Sequence, residues 1–406
     1  MELAAVLEKI ERSRDRIIEE MCDMIRIPAI SPANGGTGES RRADHMIMRL
    51  KGYDTVLRVD VPDDTDPSIM RSNILAKKRG KEEGTVWIVS HLDTVPTGNL
   101  EDWDSPPFEP RVEDGRIYGR GTEDNGQAVI SSIFASEFID KDILTGKSIG
   151  IALVADEENT SKMGIDYLIK NKCFSKDDIF IVPDWGSPGG SQIVVDEKDL
   201  IWLNFSISGR TTHGSTPGKG INAFRTAAHL IVELESEFNK EFPSEDQMFK
   251  PSISTFEPTR STNHVENVNT IPGYYDFSID VRLLPHYKID DVVSVAEKVA
   301  EKIADEYGAE ILVEEIQRHK SGKSSSIENE TYLALRDSIK HVTGTEPIPI
   351  GIGGATCANF FRLAGYDAYV WGTGGGTLHT PNEYVEIDNI IIDAKVFATL
   401  FYKLCV

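Results

Sequence analysis

The sequence predicts an α/β fold with a mainly parallel sheet, into which a smaller α+β domain is inserted. Three observations lead to this prediction. Short apolar runs that suit buried strands alternate with helical patterns, which is the order of a parallel α/β sheet. Between residues 200 and 318, longer strand-like stretches and two helical patterns follow a β-α-β-β-α-β order. The first alternation then resumes, so the chain returns to its first domain.

The first domain is predicted over residues 1–199 and 319–406. Apolar residues recur at spacings of three and four from Val6 to Ile25, which predicts one amphipathic helix packed on the sheet. Buried strands are predicted at residues 85–89, 148–154, 179–182 and 368–371. Helices are predicted at residues 128–138, 163–170, 332–341 and 390–404.

The inserted domain is predicted over residues 200–318. Its strands include LIWLNFSISG and YYDFSIDVRLL, and its helices are predicted at residues 223–238 and 292–307. The stretch HKSGKSSSIEN is polar and rich in serine and glycine. It is predicted to be one of two linkers that cross between the domains.

Composition and charge exclude several classes of protein. Lys and Arg number 43 and Asp and Glu 66, which gives a net charge of −23 that would repel nucleic acid. No apolar run approaches the roughly 20 residues of a membrane span, and the charged N-terminus lacks the pattern of a secretory signal. Cys22, Cys173, Cys357 and Cys405 include no close pair and are expected to be reduced thiols. We therefore expect a cytoplasmic protein whose partners include neither nucleic acid nor a membrane.

Acidic and histidine residues follow the predicted parallel strands where those strands end. The carboxyl ends of such strands meet at one edge of the sheet, where open α/β proteins build their sites. Any one of these residues alone could equally be a helix cap or a solvated loop residue. Five together indicate a shared site, and they are His91, Asp124, Glu158, Asp184 and His379.

Two histidines and three carboxylates suit two divalent metal ions. Each ion can take one imidazole and one terminal carboxylate, while the third carboxylate bridges both. Zinc is the default ion for this ligand set. Two such ions would polarise a carbonyl group and activate a bridging water, so the residues predict a hydrolase.

Five segments, in chain order, resemble the motif series of the di-zinc amidohydrolase and exopeptidase family. They are HLDTVP, YGRGTEDNGQ, ADEEN, PDWG and LHTPNEY. That family includes acetylornithine deacetylase, succinyl-diaminopimelate desuccinylase, aminoacylase, carnosine-type dipeptidases and glutamate-releasing carboxypeptidases such as carboxypeptidase G. The resemblance covers nearly the whole chain. It implies a zinc-exopeptidase-like catalytic domain, a ferredoxin-like lid or dimerisation domain, and a homodimer.

The resemblance also implies which residue holds which metal ion. His91 and Asp184 would hold one zinc, Glu158 and His379 the other, and Asp124 would bridge them. Co²⁺ or Mn²⁺ would also accept this ligand set.

Three further residues gain catalytic roles from the resemblance. Glu157 would be the general base, and the Asp93 carboxylate would orient the imidazole of His91. His213 would stabilise the oxyanion, in many relatives in the partner subunit's site. The alternative for Asp93, less favoured, is a loop carboxylate facing water, whereas His213 without the family would be interpreted as a surface histidine. The peptide bond after the bridging acid, Asp124-Asn125, is also expected to be cis.

The resemblance implies a substrate-binding role for three more residues. Arg282 and Asn269 would help to bind the substrate's carboxylate. A guanidinium suits this role because it can donate two parallel hydrogen bonds to one carboxylate. Arg282 could instead pair with Asp280. Thr356 lies in GIGGATCANFF, which resembles a loop whose amides approach that carboxylate. Cys357 stands where many deacylases have Asp, which favours a dipeptidase, and it is expected to be a packing residue rather than a nucleophile.

The sequence therefore predicts a metal-dependent hydrolase with Glu157 as the general base of a zinc-bound water. Its substrates would be dipeptides, short peptides or N-acyl amino acids, cleaved at an amide bond next to a carboxylate. A deacylase of the desuccinylase or deacetylase type is an alternative to a dipeptidase. An alternative of another class is a non-catalytic dimeric relative that binds a small molecule. The five candidate metal-binding residues and Glu157 are all present, which argues against this alternative. A nucleotide-dependent enzyme is disfavoured because TGKS and SGKS lack the first glycine of a phosphate loop.

Overall fold

The computed structural model describes residues 2–263, although not the side chain of Asn263, and residues 265–406. The chain divides into two compact units. The first comprises the residues up to Val195, Gly322–Ile350 and Thr356–Val406, and the second comprises Asp196–Ser321 and Gly351–Ala355. The domain boundaries expected after residues 199 and 318 stay a prediction. Within the described ranges, no helix is both long enough and apolar enough to cross a membrane.

Helices and strands are numbered here in chain order. The helices are α1 (Leu3–Arg12), α2 (Arg14–Ile25), α3 (Ser40–Ile47), α4 (Gln127–Glu137), α5 (Ile165–Lys170), α6 (Ala223–Glu241), α7 (Ile289–Tyr307), α8 (Glu330–Thr343), α9 (Cys357–Leu363) and α10 (Ile387–Cys405). The strands are β1 (Thr55–Pro62), β2 (Met70–Lys78), β3 (Thr85–His91), β4 (Arg111–Glu113), β5 (Arg116–Tyr118), β6 (Ser148–Val154), β7 (Ile179–Val182), β8 (Gln192–Glu197), β9 (Asp199–Ser208), β10 (Thr212–His213), β11 (Thr255–Asn263), β12 (Thr270–Ile271), β13 (Tyr274–Leu283), β14 (Glu310–His319), β15 (Ile348–Ile352), β16 (Ala368–Val370) and β17 (Tyr384–Glu386).

The large sheet has eight strands in the order β1-β2-β6-β3-β7-β16-β8-β15. Its centre is parallel, because β3 pairs in parallel with β6 and β7, and β7 with β16. Antiparallel pairs flank this centre, β1 with β2 and β2 with β6 on one side and β16 with β8 on the other. Every residue of β3 and β6 is buried, as expected of parallel strands covered on both faces. The predicted α/β fold with a mainly parallel sheet is confirmed.

The N-terminal segment differs from its prediction, since it forms two helices rather than one. Ser13 separates α1 from α2. Its hydroxyl donates to the Lys9 carbonyl at 2.9 Å, and its N–H donates to the Ile10 carbonyl in a tighter turn. A serine that bonds back to the preceding turn competes with the regular helical ladder. The apolar residues still face inward, with Ile10 and Ile17 fully buried.

The second unit contains an antiparallel four-stranded sheet in the order β11-β13-β9-β14. Helix α6 lies between β9 and β11 in the chain, and α7 lies between β13 and β14. This order confirms the predicted β-α-β-β-α-β arrangement. The core combines alternate residues of the strands with one side of each helix, and it includes Leu203, Phe205, Leu230, Phe277 and Val292.

Candidate metal centre

The five predicted metal ligands lie at the carboxyl ends of the central strands or in the loops that follow them. His91 is the last residue of β3, Glu158 follows β6 and Asp184 follows β7. Asp124 lies in the turn that leads into α4, and His379 lies in the loop between β16 and β17. The structure therefore brings together all five residues at the edge where the sequence places them.

Asp124 lies between the two imidazoles. Its Oδ1 is 2.9 Å from Nε2 of His91, and its Oδ2 is 3.0 Å from Nε2 of His379. His91 Nε2 is also 3.2 Å from Asp184 Oδ1, and His379 Nε2 is 3.1 Å from Glu158 Oε2. Each imidazole thus faces a carboxylate of its own and shares the third. The specific role of each residue as a ligand stays a prediction.

The donor set fits divalent metal ions. Ligand atoms of His91, Asp124 and Glu158 lie within 4.8 Å of one another, as do those of His91, Glu157 and Asp184. Oε1 of Glu158 is buried and has no hydrogen-bond partner among the described residues. A buried carboxylate oxygen is costly to leave unpaired, and a cation would compensate it.

The charges of this cluster shift one another's pKa values. Hydrogen bonds that the imidazole of His379 donates to Asp124 and Glu158 raise the pKa of His379 to about 10. Burial raises the pKa of Glu158 to about 7, whereas the two imidazoles hold the pKa of Asp124 below its usual range against the effect of burial. Such opposed shifts within one cluster are typical of functional sites.

The backbone carbonyl of Asp93 fixes the protonation of His91. His91 Nδ1 lies 3.0 Å from this oxygen and 3.5 Å from Oδ1 of the Asp93 carboxylate. Because a carbonyl oxygen can only accept, Nδ1 carries a proton, and Nε2 is the ring nitrogen that faces the acids. The carboxylate expected to orient the imidazole is therefore the more distant of the two Asp93 groups.

Glu157 lies beside the cluster with a strongly perturbed carboxyl group. Burial raises its pKa well above the usual range, and the nearby charges of Asp184 and Glu158 raise it further, against the opposing effect of His91. A carboxyl group of raised pKa can both take up and return a proton near neutral pH. This property fits the predicted general base.

The peptide bond Asp124-Asn125 is cis, as expected from the resemblance. The side chain of Asn125 links the neighbouring strand ends. Its Nδ2 donates to the Pro183 carbonyl at 2.8 Å and to Asp184 Oδ1 at 3.1 Å, and its Oδ1 accepts from the His91 N–H at 3.3 Å.

Arg71 on β2 supports the acidic segment of the site, residues 156–158. The sequence did not identify this arginine. Nε of this fully buried guanidinium is 3.0 Å from both oxygens of Glu39. Nη1 lies 3.1 Å from Asp63 Oδ2 and 3.2 Å from Asp156 Oδ1, and Asp156 directly precedes Glu157. An arginine within an otherwise buried strand was the available signal, because a buried charge needs partners.

His213 and Asn269 are neighbours in the second unit. Strand β10, which contains His213, pairs with β12, and the Gly214 N–H donates to the Asn269 carbonyl at 2.7 Å. Both side chains are exposed, and His213 Nδ1 lies 2.7 Å from the Ser215 hydroxyl. Their roles toward oxyanion and substrate stay predictions.

Arg282 and Thr356 have partners within the chain. Arg282 binds both oxygens of Asp280, at 2.6 and 2.9 Å, and donates to the Gly353 carbonyl at 2.7 Å. The pairing with Asp280 was the alternative considered for this arginine. The Thr356 hydroxyl accepts from the Ala358 N–H at 3.1 Å and so caps α9. Their contacts with substrate stay predictions.

The predicted packing role of Cys357 agrees with its position, since it is buried at the start of α9. All four cysteines are free thiols, as expected. Burial raises the pKa of the Cys357 thiol well above its usual range, and the charge of Glu157 adds to this effect. A thiol with a raised pKa is a poor nucleophile.

Known proteins are similar to this chain in sequence and in fold. The model of peptidase family M20/M25/M40 matches residues 87–403. An uncharacterized metallohydrolase of Methanocaldococcus jannaschii is 36% identical over 393 residues, 92% of this chain and 96% of that protein. A succinyl-diaminopimelate desuccinylase of Pelagibacter ubique is 25% identical over 391 residues, 93% of this chain and 96% of that protein. The crystal structure of a tripeptidase from Staphylococcus aureus shares the fold, with a TM-score of 0.76 and 18% identity over 95% of this chain and 97% of that one.

Proposed function

We propose a substrate class for this chain on one premise: it belongs to the peptidase family M20/M25/M40. It is therefore a metal-dependent hydrolase of the peptidase and amidohydrolase type. The proposed reaction is hydrolysis of an amide bond next to a carboxylate in dipeptides, short peptides or N-acyl amino acids. The observation that carries this proposal is the position of Asp124, whose two oxygens lie 2.9 and 3.0 Å from two different imidazoles.

Two divalent ions, Zn²⁺ by preference and Co²⁺ or Mn²⁺ as alternatives, would be held by the five clustered residues. His91 and Asp184 would hold one ion, Glu158 and His379 the other, and Asp124 both. When bound, the ions would polarise the scissile carbonyl and lower the pKa of a bound water.

Glu157 is the proposed general base. Its neighbour Glu158 lies against His379, which leaves Glu157 as the adjacent carboxyl group for proton transfer. Glu157 takes a proton from the attacking water and delivers it to the nitrogen of the departing amine. Its raised pKa supports the second half of this task, because a raised pKa favours the protonated carboxyl group, which can donate the proton to the departing amine.

Four further residues are proposed to contact the substrate. Arg282, Asn269 and the amides near Thr356 would anchor the substrate's carboxylate, and His213 would stabilise the oxyanion.

The second unit would serve as lid and dimerisation domain of a homodimer. Light scattering during size-exclusion chromatography tests the dimer, which a monomeric mass would contradict. The cytoplasmic location stays a prediction.

Two substrate types compete within this proposal. Cys357 stands where many deacylases have Asp, which favours a dipeptidase. The desuccinylase relative from Pelagibacter ubique favours an N-acyl amino acid, and therefore keeps the deacylase as a second candidate.

The test is amine release from a substrate panel by zinc-loaded protein, with a chelated sample as control. Each dipeptide is paired with its C-terminal amide, which lacks the carboxylate, and N-acetyl and N-succinyl amino acids represent the deacylase. We expect chelator-sensitive turnover of the acids and little turnover of the amides. Equal turnover of acid and amide would remove the carboxylate from the proposal. Protein that holds two metal ions but cleaves no panel member would contradict the substrate class.

A further inference from the structure

We propose that Glu123 and Glu383 are reciprocal positioning residues for the metal centre. Each carboxylate binds main-chain amides of the loop that contains the other. Glu123 directly precedes Asp124, and Glu383 follows His379 by four residues. The pair thereby fixes Asp124 and His379 relative to each other. This inference rests on the proposed function only in taking those two residues as metal ligands.

Glu383 binds the turn that contains Asp124. Its carboxylate is completely buried, and its Oε1 accepts the N–H groups of Glu123 at 2.9 Å and Asp124 at 3.0 Å. Its Oε2 accepts from the Gly121 N–H at 2.9 Å and from Nη1 of Arg120 at 2.7 Å. Four donors therefore occupy both oxygens, and the arginine compensates the buried charge.

Glu123 binds the loop that leads to His379. Its Oε1 accepts the N–H groups of Gly375 at 2.7 Å and Gly376 at 2.8 Å. Its Oε2 accepts the Thr377 N–H at 2.6 Å and also the hydroxyl of Thr377. Consecutive amides that converge on one carboxylate form an anion-binding concavity. Gly376 has a φ of +80°, in the left-handed region that favours glycine, so this loop shape depends on its glycine.

These reciprocal hydrogen bonds link the main chain around Asp124 to the main chain around His379. The loop before His379 cannot leave the Asp124 turn unless the bonds to both carboxylates are broken. A further bond ties the same loops, because the Gly119 N–H donates to the Glu383 carbonyl at 2.9 Å. Asp124 Oδ2 and His379 Nε2 lie 3.0 Å apart at the end of this linkage. Both carboxylates therefore act through the two ligands, as positioning residues.

Substitution of Glu123 or Glu383 by glutamine tests the inference. An amide keeps the size of the side chain but offers one accepting oxygen and a donating NH₂ group, which would face a main-chain N–H. Glu123→Asp is the second variant, since it keeps the charge and withdraws it from the loop by one methylene. Glu386→Gln is the matched control, because the Glu386 carboxylate pairs with Arg116 at the surface, 3.2 Å away.

The first measurement is a Co²⁺ titration of metal-free, full-length protein, followed by the visible absorption of the bound ion. Wild type and Glu386→Gln should bind two ions. Glu123→Gln, Glu123→Asp and Glu383→Gln should bind one ion about 10- to 100-fold more weakly, as is usual when a group that orients a ligand is removed. Wild-type affinity for both ions in Glu123→Gln would overturn the inference.

The second measurement is hydrogen exchange by mass spectrometry, which does not depend on metal binding. The amides of residues 375–377 should exchange slowly in wild type and faster in Glu123→Gln, while exchange in the second unit stays unchanged. Unchanged exchange at residues 375–377 would overturn the inference even if wild type bound no Co²⁺. Absence of Co²⁺ binding by wild type, with faster exchange in Glu123→Gln, would instead count against the proposed function alone.

Discussion

The backbone N–H of Glu157 donates to the carboxylate of Asp93 at 3.1 Å. The other oxygen of the same carboxylate accepts the N–H of Glu158 at 3.2 Å. A residue that follows β3 therefore fixes the main chain that follows β6, where the proposed base and a proposed ligand are adjacent. The Asp93 carboxylate thus binds the main chain of both acids, and it lies farther from His91 Nδ1 than the Asp93 carbonyl does, at 3.5 against 3.0 Å.

We expect Asp93→Asn to lower kcat by about 10- to 100-fold with a smaller change in KM, since groups that orient active-site residues have effects of this size. An asparagine can accept only one of the two N–H groups and presents an NH₂ group to the other. Steady-state kinetics on the preferred substrate measure the effect. An unchanged kcat would show that this carboxylate does not position Glu157.

Glu157→Gln should retain both metal ions and lose about 100- to 10,000-fold in turnover, the usual contribution of a general base. Mass spectrometry measures the metal content of the variant, and steady-state kinetics measure its turnover. Glu113→Gln is the control, because Glu113 pairs with Arg111 at the surface. Substantial activity in Glu157→Gln would assign the proton transfer to another group.

His213→Ala should depress kcat by about 100- to 1,000-fold, the cost of removing one oxyanion donor. Its effect on stability should be small, because the side chain is exposed. Rates and urea unfolding of the same preparation separate these two effects. A wild-type rate would contradict the oxyanion role and show that His213 is a surface histidine without a catalytic function.

Arg71→Met should reduce the free energy of unfolding by about 3–5 kcal/mol, because removing one partner leaves buried charges uncompensated. Glu39, Asp63 and Asp156 would lose their shared cation. Arg58→Met is the control, since Arg58 is partly exposed and its pairs should contribute about 1 kcal/mol or less. Equal losses in the two variants, measured by urea unfolding, would contradict the special role of the buried arginine.

The predicted strands of the sheet centre and the clustering of the five residues have local signals in the sequence. Strands β6 and β7 begin and end at the predicted residues, since each is an uninterrupted apolar run. The break at Ser13 has no comparable signal, because the apolar spacing continues through it.

The two positioning carboxylates, Glu123 and Glu383, have no local signal in the sequence. Glu123 and Glu383 bind main-chain amides about 250 residues away in the chain, and amides are present at every position but proline. A motif can therefore identify the ligand Asp124, whereas the carboxylate that holds its turn becomes evident only from the folded chain.

Asp393 should make stability fall as the pH rises towards neutrality. Its carboxyl group is buried beside Gln127 and Thr373, and burial raises its pKa from 3.8 to about 7. Between these values the folded protein holds a proton that the unfolded chain releases, so unfolding becomes easier as the pH increases. Relative to Asp393→Asn, which cannot titrate there, wild type should lose up to about 1.4 kcal/mol per pH unit between pH 5 and 7 and little above pH 8. Urea unfolding of both proteins at several pH values measures this difference. A difference that stays constant with pH would show that Asp393 is ionised throughout the range.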